Sequence, residues 1–484
     1  MDLVIPNIDV ASLGPELILS IAAMFVLLVS VFLPKGRKDP AAYLSLLGIF
    51  FAFVSSIFLW GNPRYSFNNM ILVDNFALFF NSIFLIAAGL SILMSINYLK
   101  EEEMSHGEFY ALILFATVGM MFMAAGSNLI TIFLGLETMS ISIYVLAGFF
   151  RGSNKSNESA LKYLLLGAFS SAFLLYGIAL MYGATGTTDL KGISEYLSKA
   201  AYLKDPMLLA GMGLLLVGFG FKIASVPFHM WTPDVYEGAP TSITAFMSVG
   251  VKAAAFAAFV RVFLYSLWDL QPDWNHVLWI LAVLTMTLGN VVAISQNNIK
   301  RMLAYSSIAH AGYIMIGMVA SSELGTSGIL FYMLAYAFMN LGAFGVIILY
   351  GSKGEENLDI NDYSGMGFKY PALALLMTVF MFSLAGIPPT AGFVGKFYIF
   401  SAAIKEGYIW LAIIGVMNSL VSVYYYLRIT VMMYMKEPVK EFPGLKWSPS
   451  VAIALIIAVI GTLLIGIFPS PYLDLARASI QLFM

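Results

Sequence analysis

Residues 128–150 read NLITIFLGLETMSISIYVLAGFF, an apolar run that contains one charged side chain, Glu137. In a helix that rises 1.5 Å per residue, this run is long enough to cross the roughly 30 Å hydrocarbon core of a bilayer. Similar runs recur from Leu13 to Ile467. The stretch therefore predicts a polytopic α-helical membrane protein, and its intramembrane acid predicts a functional site.

Composition excludes the soluble enzyme classes. Of the 484 residues, 60% are hydrophobic and 11% are charged, whereas about 25% are charged in ordinary soluble domains. The chain has no cysteine, which excludes disulfides, thiolate metal sites and cysteine-ligated iron–sulfur clusters. It also has no Walker A, GxGxxG or HExxH motif. The net charge of −2 gives no case for nucleic-acid binding.

Segments rich in charged residues, in Gly and Pro, or in Asn divide the chain into fourteen predicted spans. The polar segment 190–203 is predicted to lie flat at the membrane surface or in a surface loop. The predicted spans are 12–33, 41–60, 76–98, 109–126, 128–150, 160–183, 207–230, 241–267, 276–294, 302–320, 325–350, 371–404, 409–433 and 449–469.

Prolines predict two broken helices, in spans 7 and 12, at Pro227 and at Pro388 with Pro389. The two breaks lie five spans apart, and units of five helices alternate in orientation, which predicts two inverted repeats over spans 4–8 and 9–13. We expect one membrane domain, residues 1–484, with four parts. They are spans 1–3 (1–108), the first repeat (109–268), the second repeat (276–433) and a C-terminal span (449–484).

Basic residues predict the orientation, because cytoplasmic loops carry an excess of lysine and arginine. Loops after odd-numbered spans hold thirteen basic residues, including Lys300 and Arg301, and the other loops hold six. Both termini are therefore predicted to lie outside.

Four ionisable residues lie deep in predicted spans: Glu137, Lys222, Lys252 and Lys396. Burial disfavours the charged form of such a group and a nearby opposite charge favours it, so a change of geometry can move a proton. A static Glu–Lys bridge is the alternative, although apolar packing stabilises helix contacts equally well. The four residues therefore predict a proton-translocating site.

Other polar residues in the spans have weaker interpretations. Lys162 lies one turn inside its span and is a second-rank candidate. Arg261 and Arg428 lie near span ends, where their side chains are expected to reach the interface. His310 is either a proton relay between Lys252 and Lys396 or a helix-contact histidine. A redox subunit with haem between His229 and His310 is a further alternative.

Three long motifs bring a family into view: FKIASVPFHMWTPDVYEGAPT at 221–241, NNIKRMLAYSSIAHAGY at 297–313 and LAGIPPTAGFVGKFYIF at 384–400. Together they resemble the subunit N family of bacterial NADH-quinone oxidoreductase, respiratory complex I, whose membrane subunits are related to Mrp-type antiporters. The resemblance extends over nearly the whole chain.

The resemblance implies roles for the deep charges. Glu137 would pair with Lys222, Lys252 would be the central relay and Lys396 the exit-side charge, while His310 and Lys162 match positions of lower certainty. It implies no cofactor or metal in this chain, with NADH, FMN, iron–sulfur clusters and quinone bound by other subunits. The implied partners are subunits M, K, J and A in a bacterial inner membrane. An Mrp-type Na⁺/H⁺ antiporter subunit is the alternative.

Overall fold

A computed structural model describes most of the chain, and its described part is helical apart from one short hairpin. The hairpin pairs Arg64–Ser66 with Ile71–Val73 in antiparallel register. The described residues are 9–34, 36, 38–199, 205–351, 357–439, 444–445 and 447–480.

The fourteen predicted spans are confirmed as helices. Within the described residues, thirteen helices are long and apolar enough to cross a membrane, and the remaining span consists of two shorter helices. In chain order, spans 1–14 are Gly14–Phe32, Asp39–Leu59, Asn75–Glu101, Gly107–Ala125, Leu129–Ala147, Asn154–Thr185, Pro206–Ile223, Thr241–Ser266, Gln271–Ile294, Ile299–Ala320, Glu323–Tyr350, Pro371–Ala385 with Ala391–Lys405, Ile409–Met435 and Pro449–Ile467.

Both predicted helix breaks are present. Span 7 ends at Ile223, and the chain resumes as the short helix Trp231–Gly238. Ala224 ends the first segment with a left-handed backbone, φ 61°. In span 12 the first segment ends at Gly386, φ 87°, before Ala391–Lys405 begins. The two breaks place helix ends inside the helical bundle, where backbone carbonyls are available to polar side chains.

The centre of the molecule is formed by spans 8, 10 and 11. The most apolar window of span 8 is 100% buried, against 33% for span 1 and span 14 at the periphery. Span 8 contains π-helical turns at Met247–Val251 and Arg261–Ser266, which flank an α-helical segment beginning at Lys252. Such turns often occur at functional sites in helices.

The two repeats share local structure at a constant spacing of 170 residues. Asn128 caps span 5 and bridges to Asp189, and Asn298 caps span 10 and bridges to Asp359. Gly119 packs against the backbone of span 5 as Gly289 packs against that of span 10, where an added Cβ would lie 2.5 Å and 2.7 Å from backbone nitrogens. These correspondences support the predicted repeats at the level of individual contacts.

The hairpin marks one membrane end of the molecule, which we call the hairpin face. The amphipathic helix Leu190–Lys199 lies at the same face, where the Ser266 hydroxyl donates to the Leu190 carbonyl over 2.9 Å. This helix agrees with the predicted surface segment, although residues 200–203 of that prediction lie outside the described part. Trp231–Gly238 lies at the other end, which we call the opposite face.

Two expectations about basic residues were wrong. Arg261 does not reach the interface, because it is 3% exposed and paired with Asp74. Lys300, assigned to a loop, is fully buried in the first turn of span 10. In both cases another part of the chain covers a helix end that would otherwise meet water.

Candidate functional site

Lys222 lies in the last turn before the break of span 7 and points towards span 5. Its Nζ donates to Ser140 Oγ over 2.8 Å and approaches Tyr144 OH at 3.5 Å. It also lies 5.5 Å and 5.6 Å from the ring centres of Tyr144 and Tyr163. The ammonium is therefore held by neutral side chains and aromatic faces, which attract cations.

Glu137 lies one turn before Ser140 on span 5, so it borders the same cluster. It interacts electrostatically with Lys222, but within the described residues no ion pair joins the two side chains. Its Oε1 is buried without a hydrogen-bond partner in the described structure. A shift of the ammonium from Ser140 towards Glu137 would therefore exchange a hydroxyl partner for a carboxyl group.

Lys252 follows the first π-helical turn of span 8 and is 3% exposed. Its Nζ donates to the backbone carbonyl of Ser307 on span 10, over 2.7 Å. An α-helical carbonyl normally accepts from the residue four positions later, so an ammonium on this oxygen is a second, polarising donor. The contact joins the central span of the first repeat to the second repeat.

His310 lies one turn beyond Ser307 and is 2% exposed. Its Nδ1 lies 2.5 Å from Tyr332 OH and its Nε2 lies 3.0 Å from Tyr426 OH. Lys252 and Lys396 both act on it electrostatically. Because both ring nitrogens are engaged by tyrosine hydroxyls, this arrangement suits proton relay better than ligation of a haem iron.

Lys396 lies in the second segment of span 12 and reaches back to the end of the first. Its Nζ donates to the carbonyls of Leu384 and Ala385 over 3.1 Å and 2.9 Å, and to Ser419 Oγ over 2.9 Å. These carbonyls belong to the carboxyl end of a helix, whose partial negative charge favours a cation. Lys396 thus caps the helix break itself.

Buried polar atoms without a protein partner in the described structure cluster between Trp231–Gly238 and Lys252. In folded proteins such atoms are bonded to protein or to ordered water. Ser307 lies beside both Tyr236 and Tyr336, so these polar side chains extend from Trp231–Gly238 to the helix that binds Lys252. The atoms are Thr232 Oγ1, Tyr236 OH, Ser242 Oγ, Ser307 Oγ, Tyr336 OH and Asn340 Oδ1.

Lys162 lies apart from the buried side chains Lys222, Lys252, His310 and Lys396. Its Nζ lies 2.6 Å from both Asp234 and Glu158, and its side chain is 40% exposed. Arg301 joins the same surface cluster at 2.8 Å from Asp234. Burial raises the pKa of Asp234, but the hydrogen bonds from Lys162 and Arg301 outweigh it and hold the pKa below its ordinary value.

The sequence analysis did not anticipate the burial of four ionisable residues, Lys300, Arg261, Asp74 and Glu16. Lys300 donates to the Ala239 carbonyl over 2.7 Å and fixes the end of Trp231–Gly238. Arg261 binds Asp74, and Glu16 lies 2% exposed in the first turn of span 1. Each residue lies at a helix end, where hydropathy alone does not distinguish an interface from a covered interior.

Comparisons with known proteins give a consistent family. Residues 126–422 match the family model described as "NADH:quinone oxidoreductase/Mrp antiporter, TM". NADH-quinone oxidoreductase subunit N of Trichlorobacter lovleyi is 58% identical over 476 residues, covering 98% of each chain. The corresponding subunit N of Chloroflexus aggregans is 47% identical over 483 residues, covering 99% of this chain and 98% of that one.

Solved structures agree with these relatives. A chain of respiratory complex I from Thermus thermophilus with bound aureothin superposes with a TM-score of 0.82 at 34% identity, covering 96% of this chain and 99% of that chain. A chain of the Mrp complex from Dietzia sp. superposes with a TM-score of 0.87 at 19% identity, covering 98% of each chain. The second likeness shows the shared fold alone.

Proposed function

This chain belongs to the NADH:quinone oxidoreductase/Mrp antiporter transmembrane family, and from that membership we propose that it is the proton-translocating subunit N of a complex I-type NADH-quinone oxidoreductase. The observation that carries the proposal is the buried row of polar groups running through both repeats. Its members Lys222, Lys252, His310 and Lys396 each form hydrogen bonds with buried groups of neighbouring helix segments, and the bond from Lys252 to the Ser307 carbonyl joins the two repeats.

The row supports a role for each residue. Protons enter from the opposite face through the unpartnered hydroxyls around Tyr236 and reach Lys252. The Ser307 carbonyl orients that ammonium, while His310 and its two tyrosines relay the proton towards Lys396. Glu137 changes the electrostatic field of the row when Lys222 exchanges Ser140 for the acid. Lys162 contributes to the charged surface at the entrance.

The assignment of membrane sides follows from the loop charges. We place the opposite face in the cytoplasm and the hairpin face outside, with both termini outside and the chain in a bacterial inner membrane. Of the basic loop residues behind this assignment, Lys35, Arg37, Lys204, Lys353, Lys440 and Lys446 lie outside the described residues.

The proposal also covers partners and cofactors. Redox chemistry is assigned to other subunits, which bind NADH, FMN, iron–sulfur clusters and quinone, and this chain contributes proton movement alone. Subunits M, K, J and A are the proposed neighbours. Affinity purification of the tagged chain in mild detergent, followed by mass spectrometry, should recover them together with flavin- and cluster-binding subunits.

Two substitutions test the proton path. Glu137→Ala and Lys396→Ala should each lower proton pumping by about tenfold or more. Lys396→Ala removes a positioned proton-transfer group, which typically contributes at least that much, and Glu137→Ala removes the acid that alters the field of the row. Pumping is measured in vesicles carrying the assembled complex, alongside quinone reductase activity. Lys191→Ala, which changes a lysine 65% exposed at the surface, is the matched control. Full pumping by both variants would remove these residues from the mechanism.

The Mrp-type antiporter is the second candidate, because its solved structure shares the whole fold. The two functions differ in the ion exchanged and in the partners. Na⁺-dependent proton movement in vesicles, with recovery of hydrophobic antiporter-type subunits alone, would favour the antiporter. Proton pumping that requires quinone reduction would favour the complex I assignment.

A further inference from the structure

Arg261 and Asp74 form a buried, bidentate ion pair near the hairpin face. The Arg261 Nη1 and Nη2 atoms lie 3.1 Å and 2.8 Å from the two carboxylate oxygens of Asp74. Arg261 Nε also donates to the carbonyl of Ala124 at the end of span 4, over 2.9 Å. Asp74 in turn caps span 3 by accepting from the Ala77 amide over 2.8 Å. The pair thus joins spans 3, 4 and 8 at one point.

The Arg261–Asp74 pair lies between Lys252, which belongs to the buried row, and a cavity. Arg261 follows Lys252 by nine residues on span 8, about 13 Å along the helix axis. On its other side is a cavity of about 180 Å³ at the hairpin face, whose lining includes Tyr65, Ser127, Asp189, Arg261 and Tyr265. Arg261 itself forms part of the cavity wall while remaining 3% exposed.

The second repeat carries a counterpart at the opposite membrane face. Arg428 follows Ser419, the partner of Lys396, by the same nine residues. It donates to the Gln296 carbonyl over 3.1 Å and to Asn297 Oδ1 over 2.9 Å, at the end of span 9. Span 9 corresponds to span 4, so each repeat places an arginine at the end of its first helix, and inversion puts the two at opposite faces.

Arginine is chemically suited to closing a proton path. Its guanidinium stays protonated in proteins, so it cannot pass a proton on as a lysine can. A fixed guanidinium in a narrow passage also opposes the entry of protons. The carboxylate of Asp74 holds the group in a bidentate geometry, which fixes the position of the guanidinium.

We propose that the Arg261–Asp74 pair is a proton seal that closes the first repeat towards the hairpin face. Protons on Lys252 are thereby directed sideways, through Ser307 and His310, into the second repeat. This inference rests on the proposed function only for the direction of proton flow. The closure itself is a property of the fold and is measured without pumping.

The absence of native cysteine makes the closure directly measurable. Ala258 is fully buried, three residues before Arg261 and hence on the same helix face. A258C is labelled from the hairpin face with a membrane-impermeant cationic thiosulfonate in vesicles carrying the assembled complex, and labelling is read on this subunit's band. We expect little labelling with Arg261 present and about tenfold more in A258C/R261Q, since an uncompensated buried carboxylate draws in water.

Passive proton leak in the absence of substrate is the second measurement. R261Q and D74N should both raise the leak, whereas R64Q should not. Arg64 forms an exposed pair with Asp9 at 3.3 Å on the same face, so it controls for loss of an arginine there. R261K keeps the positive charge but loses the bidentate contact of the guanidinium with Asp74, so it should give intermediate labelling. It replaces R261Q if R261Q does not assemble.

Unchanged labelling and unchanged leak in every assembled Arg261 and Asp74 variant would overturn the seal. A leak equal to that of R64Q would overturn it as well. Failure of the proposed function gives a different result, because the parent complex would then show no coupled pumping while the labelling contrast between A258C and A258C/R261Q persisted.

Discussion

The two broken helices hold their lysines in different ways. Lys222 is bound by side chains of a neighbouring span, and in the described part of the chain Ser140 is its one hydrogen-bond partner closer than 3 Å. Lys396 is bound by two carbonyls of its own broken span and by Ser419. Side-chain partners can rearrange when helices shift, whereas backbone carbonyls move only with their helix. We therefore expect the charge at the first break to be mobile and the charge at the second to be fixed.

The largest expected difference in stability is between substitutions at Gly386 and at Ala224, the residues that end the first segments of spans 12 and 7. Gly386 has φ 87°, and an added Cβ would lie 2.9 Å from Lys396 Cδ. Gly386→Ala should destabilise the subunit by about 2 kcal/mol or more, since it combines a left-handed alanine with overpacking. Ala224→Gly, at the equivalent turn with φ 61°, should change stability by less than about 1 kcal/mol.

Thermal unfolding of the purified complex, followed by retention of this subunit, measures both variants. Equal tolerance of the two substitutions would contradict the contrast between the breaks, because it would show that Lys396 does not depend on close approach to Gly386.

A smaller difference, in proton pumping, is expected between variants of Ser140, the partner of Lys222, and of Ser419, the partner of Lys396. Ser140→Ala leaves Lys222 with the 3.5 Å contact to Tyr144, whereas Ser419→Ala leaves Lys396 with both carbonyls. Hydrogen bonds to charged groups contribute roughly 1.5–3 kcal/mol, so Ser140→Ala should lower pumping by about tenfold, whereas Ser419→Ala, which leaves both carbonyls in place, should lower it by less than twofold. Initial rates of proton uptake in vesicles give the ratio. A larger loss for Ser419→Ala would reverse the assignment of mobile and fixed charges.

The smallest effect concerns the surface cluster beside the first break. The pKa of Asp234 is lowered, so its ionised form stabilises the fold above its unfolded-state pKa, and this contribution is lost as pH falls through the lower folded-state pKa. Asp234→Asn should therefore cost less than about 1 kcal/mol. The difference from the parent should be constant from about pH 5 to 8 and shrink only below about pH 4.

Melting temperatures across that pH range test this expectation. Asp474→Asn, in a pair 3.9 Å long with a carboxylate 72% exposed, is the control and should have no measurable effect. A difference that grows as the pH falls from 8 to 5 would contradict the lowered pKa.

The sequence anticipated the deep charges because their signal is local. Each of Glu137, Lys222, Lys252 and Lys396 interrupts an apolar run, and that contrast can be read from about twenty neighbouring residues. The broken helices are equally local, since proline disrupts the helix in which it stands. The repeat spacing was visible as break positions, but its contacts, such as Asn128 with Asp189, required the structure.

Charges at helix ends were not predictable in the same way. Arg261 and Lys300 stand where hydropathy expects an interface, and their burial depends on Asp74 and Ala239, which lie 187 and 61 residues away. The same holds for the geometry of the row, because Ser307 and Tyr426 reach Lys252 and His310 through packing between spans.

What the sequence determined by itself was the number of spans, the two breaks and the identity of the four deep charges Glu137, Lys222, Lys252 and Lys396. Each follows from the transfer of a side chain or a broken backbone into hydrocarbon, a free energy that adjacent residues set. The tertiary structure alone decided which groups bind each charge, where the row is continuous and which helix ends are covered. Those outcomes depend on contacts between distant spans, which side-chain packing fixes and local hydropathy does not encode.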